Sequence, residues 1–188
     1  MASAVLALTL ALAAGPVPSW HTEAQNAERK LEAIERGRVR RGEIVTFTTS
    51  EVNAFLKSRI PVYAPGAVRD SRVWFAPSAG SASALVDFVK LQRATGGEPN
   101  WMIAKLIEGE RPVEVSAHLK SSGGWATVYL DQVAISGVSV SGSPLDMLIS
   151  TFVKPLFPEA KVNEPFELGY GIERLEITPE GLRVRLRR

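Results

Sequence analysis

From Pro112 to Val140 the chain alternates apolar and polar residues, loses phase, recovers it and loses it again. Period-two alternation belongs to a strand with one buried face, so this stretch constrains the fold more than any other. Val113, Val115, Ala117 and Leu119 fall on one side, and Glu114, Ser116, His118 and Lys120 on the other. Ser121-Ser122-Gly123-Gly124 then turns the chain. Ala126, Val128 and Leu130 keep the phase, but Val133 and Ile135 follow only after a step of three. One extra residue near Asp131-Gln132 predicts a β-bulge. A second step of three, from Ile135 to Val138, crosses Ser136-Gly137. It fits either another bulge on a tolerant glycine or the end of the strand and the start of a loop. The first reading gives two bulges in one strand, and hence a strongly curved antiparallel sheet.

The 188 residues, 45% of them hydrophobic, suffice for one domain with a sizeable core. A formal charge of +2, with Lys and Arg interspersed among Asp and Glu, gives no electrostatic footprint for nucleic acid. Two local exceptions are the basic run from Arg36 to Arg41 and the tail Arg183, Arg185, Arg187 and Arg188. The tail alternates with Leu182, Val184 and Leu186, the pattern of a terminal edge strand with one wet face.

Residues Ala4 to Ala14 are uncharged and nearly all apolar, too few to span a bilayer, and lead into Gly15-Pro16 and Pro18. This fits the apolar core and exit of a secretory signal peptide, with Ala11-Leu12-Ala13 as a small-x-small cleavage site. The expectation is a removed segment over residues 1–20, a domain over 21–188, and a periplasmic or otherwise extracytoplasmic location. The absence of cysteine excludes a lipoprotein anchor and a disulfide framework.

Thr22 to Val39 is expected to be helical, with Ala24, Ala27, Leu31 and Ile34 as its apolar stripe and Gly37 or Gly42 to end it. Ile44 to Phe47 is a short strand, and Thr48 with Glu51 makes a capping box for a helix that Pro61 should stop after Arg59. Val68 to Ala76 and Ala82 to Leu91 read as strands joined through Pro77-Ser78-Ala79-Gly80, with Asp87 a solvated or paired surface carboxylate. Trp101 to Glu108 is an almost wholly apolar helix behind Asn100, which needs cover from protein or lipid. Ser143-Pro144-Leu145-Asp146 starts a further helix, capped by Ser143, with Leu148 and Phe152 on its apolar face and an end near Pro155. Ile172 to Thr178 and Leu182 to Leu186 form a hairpin around Pro179-Glu180-Gly181. The order predicts an α+β fold, a curved antiparallel sheet wrapped around an N-terminal helix and other amphipathic helices.

The chemistry-bearing residues are sparse. His21 and His118 are the only histidines, no spacing suits a metal, and no nucleophile elbow or phosphate loop is present, so no cofactor is expected and the chain reads as a binder more than an enzyme. Trp74 and Trp125 sit opposite the apolar register of their strands. They suit a second apolar layer, carbohydrate stacking or contact with a membrane interface.

The block Ile44-Val45-Thr46-Phe47-Thr48-Thr49-Ser50-Glu51-Val52-Asn53-Ala54-Phe55-Leu56, with its Glu-x-Asn-x-x-Leu pattern, resembles the opening of bacterial envelope proteins related to the tubular lipid-binding superfamily. Ile135-Ser136-Gly137-Val138, the Pro-Leu helix, Pro165-Phe166-Glu167-Leu168 and Ile172 to Leu182 resemble the latter half of the LmeA-like phospholipid-binding family. That resemblance implies a curved sheet around a long helix, no catalytic residues, and phospholipid binding in the envelope.

An apolar groove between sheet and helix rewards each buried methylene by about 0.8 kcal/mol, which suits an acyl chain. Val52, Phe55, Leu56, Ile103, Ile107, Val115, Leu148 and Phe152 are the expected lining, with basic side chains near the mouth and a peripheral membrane contact as a further option. The competing expectation is an assembly module whose core is filled by its own helices and whose sheet edge takes a partner strand.

Overall fold

The computed structural model describes residues 19–94, 109–158 and 161–188. Within them the chain is α+β, with two antiparallel sheets, neither closed into a barrel. Helix α1 (Ser19–Glu35) precedes strand β1 (Ile44–Thr48) and helix α2 (Thr49–Tyr63). Strands β2 (Val68–Ala76) and β3 (Ala79–Asp87) lead into the short helix α3 (Phe88–Ala94). Strands β4 (Glu110–Ser122), β5 (Trp125–Ile135) and β6 (Val138–Ser139) follow, then helix α4 (Ser143–Leu148), continued by a π-helical turn over Ile149–Val153. Strands β7 (Pro165–Glu167), β8 (Ile172–Thr178) and β9 (Gly181–Leu186) close the chain. The small sheet has the order β1-β9-β8; the large one runs β2-β3-β4-β5-β6, with β7 also on β5.

The predicted bulge is present where the step of three falls. Ser116 pairs with Gln132 but Ala117 with Leu130, so Asp131 is the extra residue. Because of it, Val133 and Ile135 return to the face that carries Val128 and Leu130. The second step of three is a hairpin, not a bulge. Ser136 and Gly137, at φ 52° and 78°, form a two-residue turn that folds β6 back on β5, pairing Ile135 with Val138. Two consecutive positive φ values suit the twist of a tight hairpin, a conformation that glycine favours as readily as it favours a bulge.

Other boundaries move for equally local reasons. Helix α1 ends at Glu35, short of Val39, and of the two candidate terminators it is Gly37, at φ 62°, that lets the Gly37 and Arg38 amides turn back to the Ile34 and Ala33 carbonyls. Leu31 is exposed, while Ala24, Ala27 and Ile34 are buried. Helix α2 runs past Pro61 to Tyr63. Pro61 lies in the last turn, where it forfeits one backbone bond, and the Ala64 amide still reaches the Ile60 carbonyl. Strand β3 begins at Ala79 across a two-residue turn and stops at Asp87, so Phe88 to Leu91 are helical. Asp87 is buried, not solvated: its carboxylate accepts from the Lys90 amide at 3.0 Å and pairs with the Lys90 ammonium, capping α3. Gly142, not Ser143, occupies the cap of α4. Strand β9 lies at the centre of its sheet, between β1 and β8, instead of at an edge; its arginines occupy the wet face of an inner strand.

Two apolar clusters hold these elements. Ala27 and Ile34 of α1, Phe47 of β1, and Val184 and Leu186 of β9 form one, with Val52 and Phe55 of α2 packed against it. Ala64, Ala67, Val86, Phe88, Leu91 and Phe152 form the other, at the end of the large sheet where α3 and α4 meet, with Leu148 against it. The rings of Phe88 and Phe152 meet edge-on with centroids 5.2 Å apart.

Candidate functional site

The register of the large sheet separates its two faces. Phe75 pairs with Gly80, Gly80 with Ala117, Ala117 with Leu130; Val73 pairs with Ala82, Ala82 with Val115, Val115 with Val133; Leu119 pairs with Val128. Directly paired residues share a face, so these side chains form one apolar surface across four strands. Val113 to Leu119 along β4 gives it a length of about 20 Å at the usual rise. One end is closed by the cluster around Phe88 and Phe152. Beyond Val113 and Ile135 the surface changes character: Phe75, Ala82, Val115, Ala117, Leu119, Val128 and Leu130 are only half-buried, and among the described residues they belong to neither core cluster.

The opposite end of this face meets β8. The Ser78 amide donates to the Ile177 carbonyl at 3.0 Å, the Gly124 amide to the Glu173 carbonyl at 2.7 Å, and the Leu175 amide to Ser121 Oγ at 2.9 Å. These bonds tie the small sheet to the tips of both long hairpins. Between them lies a cavity of about 690 Å³ in which Leu119, Ala126, Leu175 and Ile177 are joined by polar residues and by Lys120, Arg174 and Glu176, the last two paired at 3.2 Å. The apolar face thus continues into a mixed chamber whose wall holds two cations and one carboxylate.

The predicted lining residues divide. Val115 lies on the half-buried apolar face. Val52 and Phe55 pack into the cluster under the small sheet, and Leu148 and Phe152 into the cluster at the far end of the large one. Leu56 is half-buried on α2, in neither cluster, and Ile103 and Ile107, with the predicted helix Trp101 to Glu108, lie outside the described residues. An apolar stripe reports that a helix face is covered, but not by which partner, so Val52 and Leu148 looked alike in sequence. The residues missed were Leu119, Val128 and Leu130, whose alternation was legible but whose face had no assigned neighbour.

The Glu-x-Asn pattern has a structural explanation. Glu51, 5% exposed, accepts from Lys30 Nζ at 2.6 Å and from the Thr48 amide at 2.9 Å, completing the capping box and bridging α1 to α2. Asn53 acts as a side-chain strand partner: its amide nitrogen donates to the Val73 carbonyl at 2.9 Å, and its oxygen accepts from the Val73 amide at 2.7 Å. Lys30 Nζ also donates to the Thr46 carbonyl at 2.7 Å. Side chains from the helices therefore occupy polar backbone groups on β1 and β2, one outer strand of each sheet.

His118 Nδ1 lies 2.7 Å from Asp131 Oδ1, and its ring stacks on Tyr129. Among the described residues no serine or threonine hydroxyl bonds to its other nitrogen. No group of three or more described His, Asp or Glu side chains is placed to hold a metal ion, and no described helix is long and apolar enough to cross a membrane.

Comparison of the chain with protein-family models, curated proteins and solved structures gave no match.

Proposed function

We propose that this is a non-catalytic envelope protein that binds a phospholipid or similar acyl lipid on the apolar face of its large sheet. The observation that carries the reading is the half-buried surface of Val115, Ala117, Leu119, Val128 and Leu130, which no described core cluster includes. Leaving such a surface wet forfeits about 25 cal/mol for each Å² of apolar area, and an acyl chain laid along β4 recovers it. The cavity at the hairpin end, where Lys120 stands beside the Arg174–Glu176 pair, keeps one cation in excess and so favours an anionic head group. Extra residues at Asp131 in β5 and at Asp70-Ser71 in β2 bend those strands, which supports a strongly curved sheet wrapped about its ligand. An LmeA-like relationship and an extracytoplasmic location belong to the same proposal.

The alternative of an assembly module that accepts a partner strand is less well supported at β1 and β2, which Lys30 and Asn53 already engage. Titration of delipidated protein with a fluorescent phospholipid tests the choice. Saturable binding that Val115→Asp weakens at least tenfold, without loss of cooperative unfolding, is the expected result. Absence of saturable binding, or binding indifferent to Val115→Asp, contradicts it.

A further inference from the structure

The other face of the large sheet carries a different chemistry. Trp74 pairs with Ser81, Ser81 with Ser116, and Ser116 with Gln132, so these four side chains form a single row across four strands. Three inter-strand spacings make that row about 14 Å long. Ser83 and Glu114, paired with each other, stand in the adjacent row. Together with Ala82 and Val115, the six line a trough of about 280 Å³, with Trp74 at one end and Gln132 at the other.

Two features separate this trough from an ordinary wet sheet face. Trp74 is 46% exposed, presenting a large planar apolar surface among polar groups. None of the six side chains makes a hydrogen bond or ion pair with another described residue, whereas polar side chains elsewhere, such as Glu51, Asn53 and Asp87, are engaged. The trough also opens at Trp74 and Ser83 into a larger cleft of about 940 Å³ between α1, α2 and β2, where Asp70, Arg72 and Lys57 add further polar groups.

We infer that this face is a binding site for a neutral glycan. A pyranose ring offers one apolar C–H face and a rim of hydroxyls. Trp74 matches the first, and Ser81, Ser83, Glu114, Ser116 and Gln132 supply donors and acceptors to the second. The volume suits a single ring in the trough, and the continuation past Trp74 suits a chain of them. A nucleic acid is disfavoured because Glu114 is the only charged side chain in the trough. The row from Trp74 to Gln132 faces away from the proposed lipid face, so Trp74→Ala and Leu130→Asp test the two sites separately.

Saturation-transfer NMR with cellohexaose, maltohexaose and chitohexaose tests the inference, at about 1 mM sugar, where a site of millimolar affinity is half filled. Transfer to at least one hexaose is expected, with affinity at least tenfold weaker in Trp74→Ala and unchanged in Trp125→Ala, whose indole is equally exposed but outside the trough. Glu114→Gln, an exposed change that leaves the strand intact, should also weaken binding if Trp74→Ala fails to fold. No transfer to any of the three sugars, or transfer that survives both trough variants, overturns the proposal.

Discussion

Glu51 and Asp87 are the two buried carboxylates among the described residues, and each is held by a lysine and by a backbone amide. Lys30 is a third exposed whereas Glu51 is not, so removing the lysine strands the buried partner. Lys30→Met should therefore destabilise the protein by about 3 kcal/mol, measured by urea unfolding. At Asp87 burial pushes the carboxyl upward, but the Lys90 amide, the Lys90 ammonium and the Val89 amide outweigh it and leave the pKa lowered. A carboxylate depressed in the folded state stabilises it above the unfolded pKa and loses that contribution as the pH falls through the folded value. Asp87→Ala should cost about 1 kcal/mol at neutral pH, and the gap to wild type should narrow below about pH 4. A gap that widened in acid would contradict the assignment.

At the scale of elements, what was legible depended on whether the signal was local. The Thr48–Glu51 capping box and the Asp131 bulge each follow from a few adjacent residues and stand where the pattern puts them. Ser136-Gly137 was ambiguous because the same glycine serves a bulge or a hairpin, and only the pairing of β6 decides. The alternation of Val86 and Phe88 predicts a strand longer than β3, although Asp87 before Phe88 is a helix-start signal in its own right. The central place of β9 is a tertiary fact that alternating arginines cannot report. The β8–β9 turn gives a test at this scale. Gly181 has φ 149°, and a Cβ there would overlap the Phe47 carbonyl of β1. Gly181→Ala should lower stability by at least 2 kcal/mol in thermal or urea unfolding, because the clash is with backbone that cannot step aside. A near-neutral effect would mean that β1 does not seat against this turn.

For the molecule as a whole, the two clusters divide the work: one packs α1 and α2 on the small sheet, the other closes one end of the large sheet. Between that closed end and the β8 junction, the large sheet keeps an apolar face on one side and a tryptophan-flanked polar trough on the other. Of the lining residues expected from sequence, Val115 alone among those described falls on the half-buried apolar face. Helical stripes pointed to the cores, and the strands pointed to the surface now proposed as the lipid site. Native mass spectrometry of the protein, expressed with its N-terminal segment and purified without detergent, shows whether the apolar face carries a lipid. A co-purifying phospholipid or isoprenoid near one per chain, absent from a folded Leu130→Asp variant, is the expected result. An apo mass that stays unchanged after incubation with envelope lipids would contradict it.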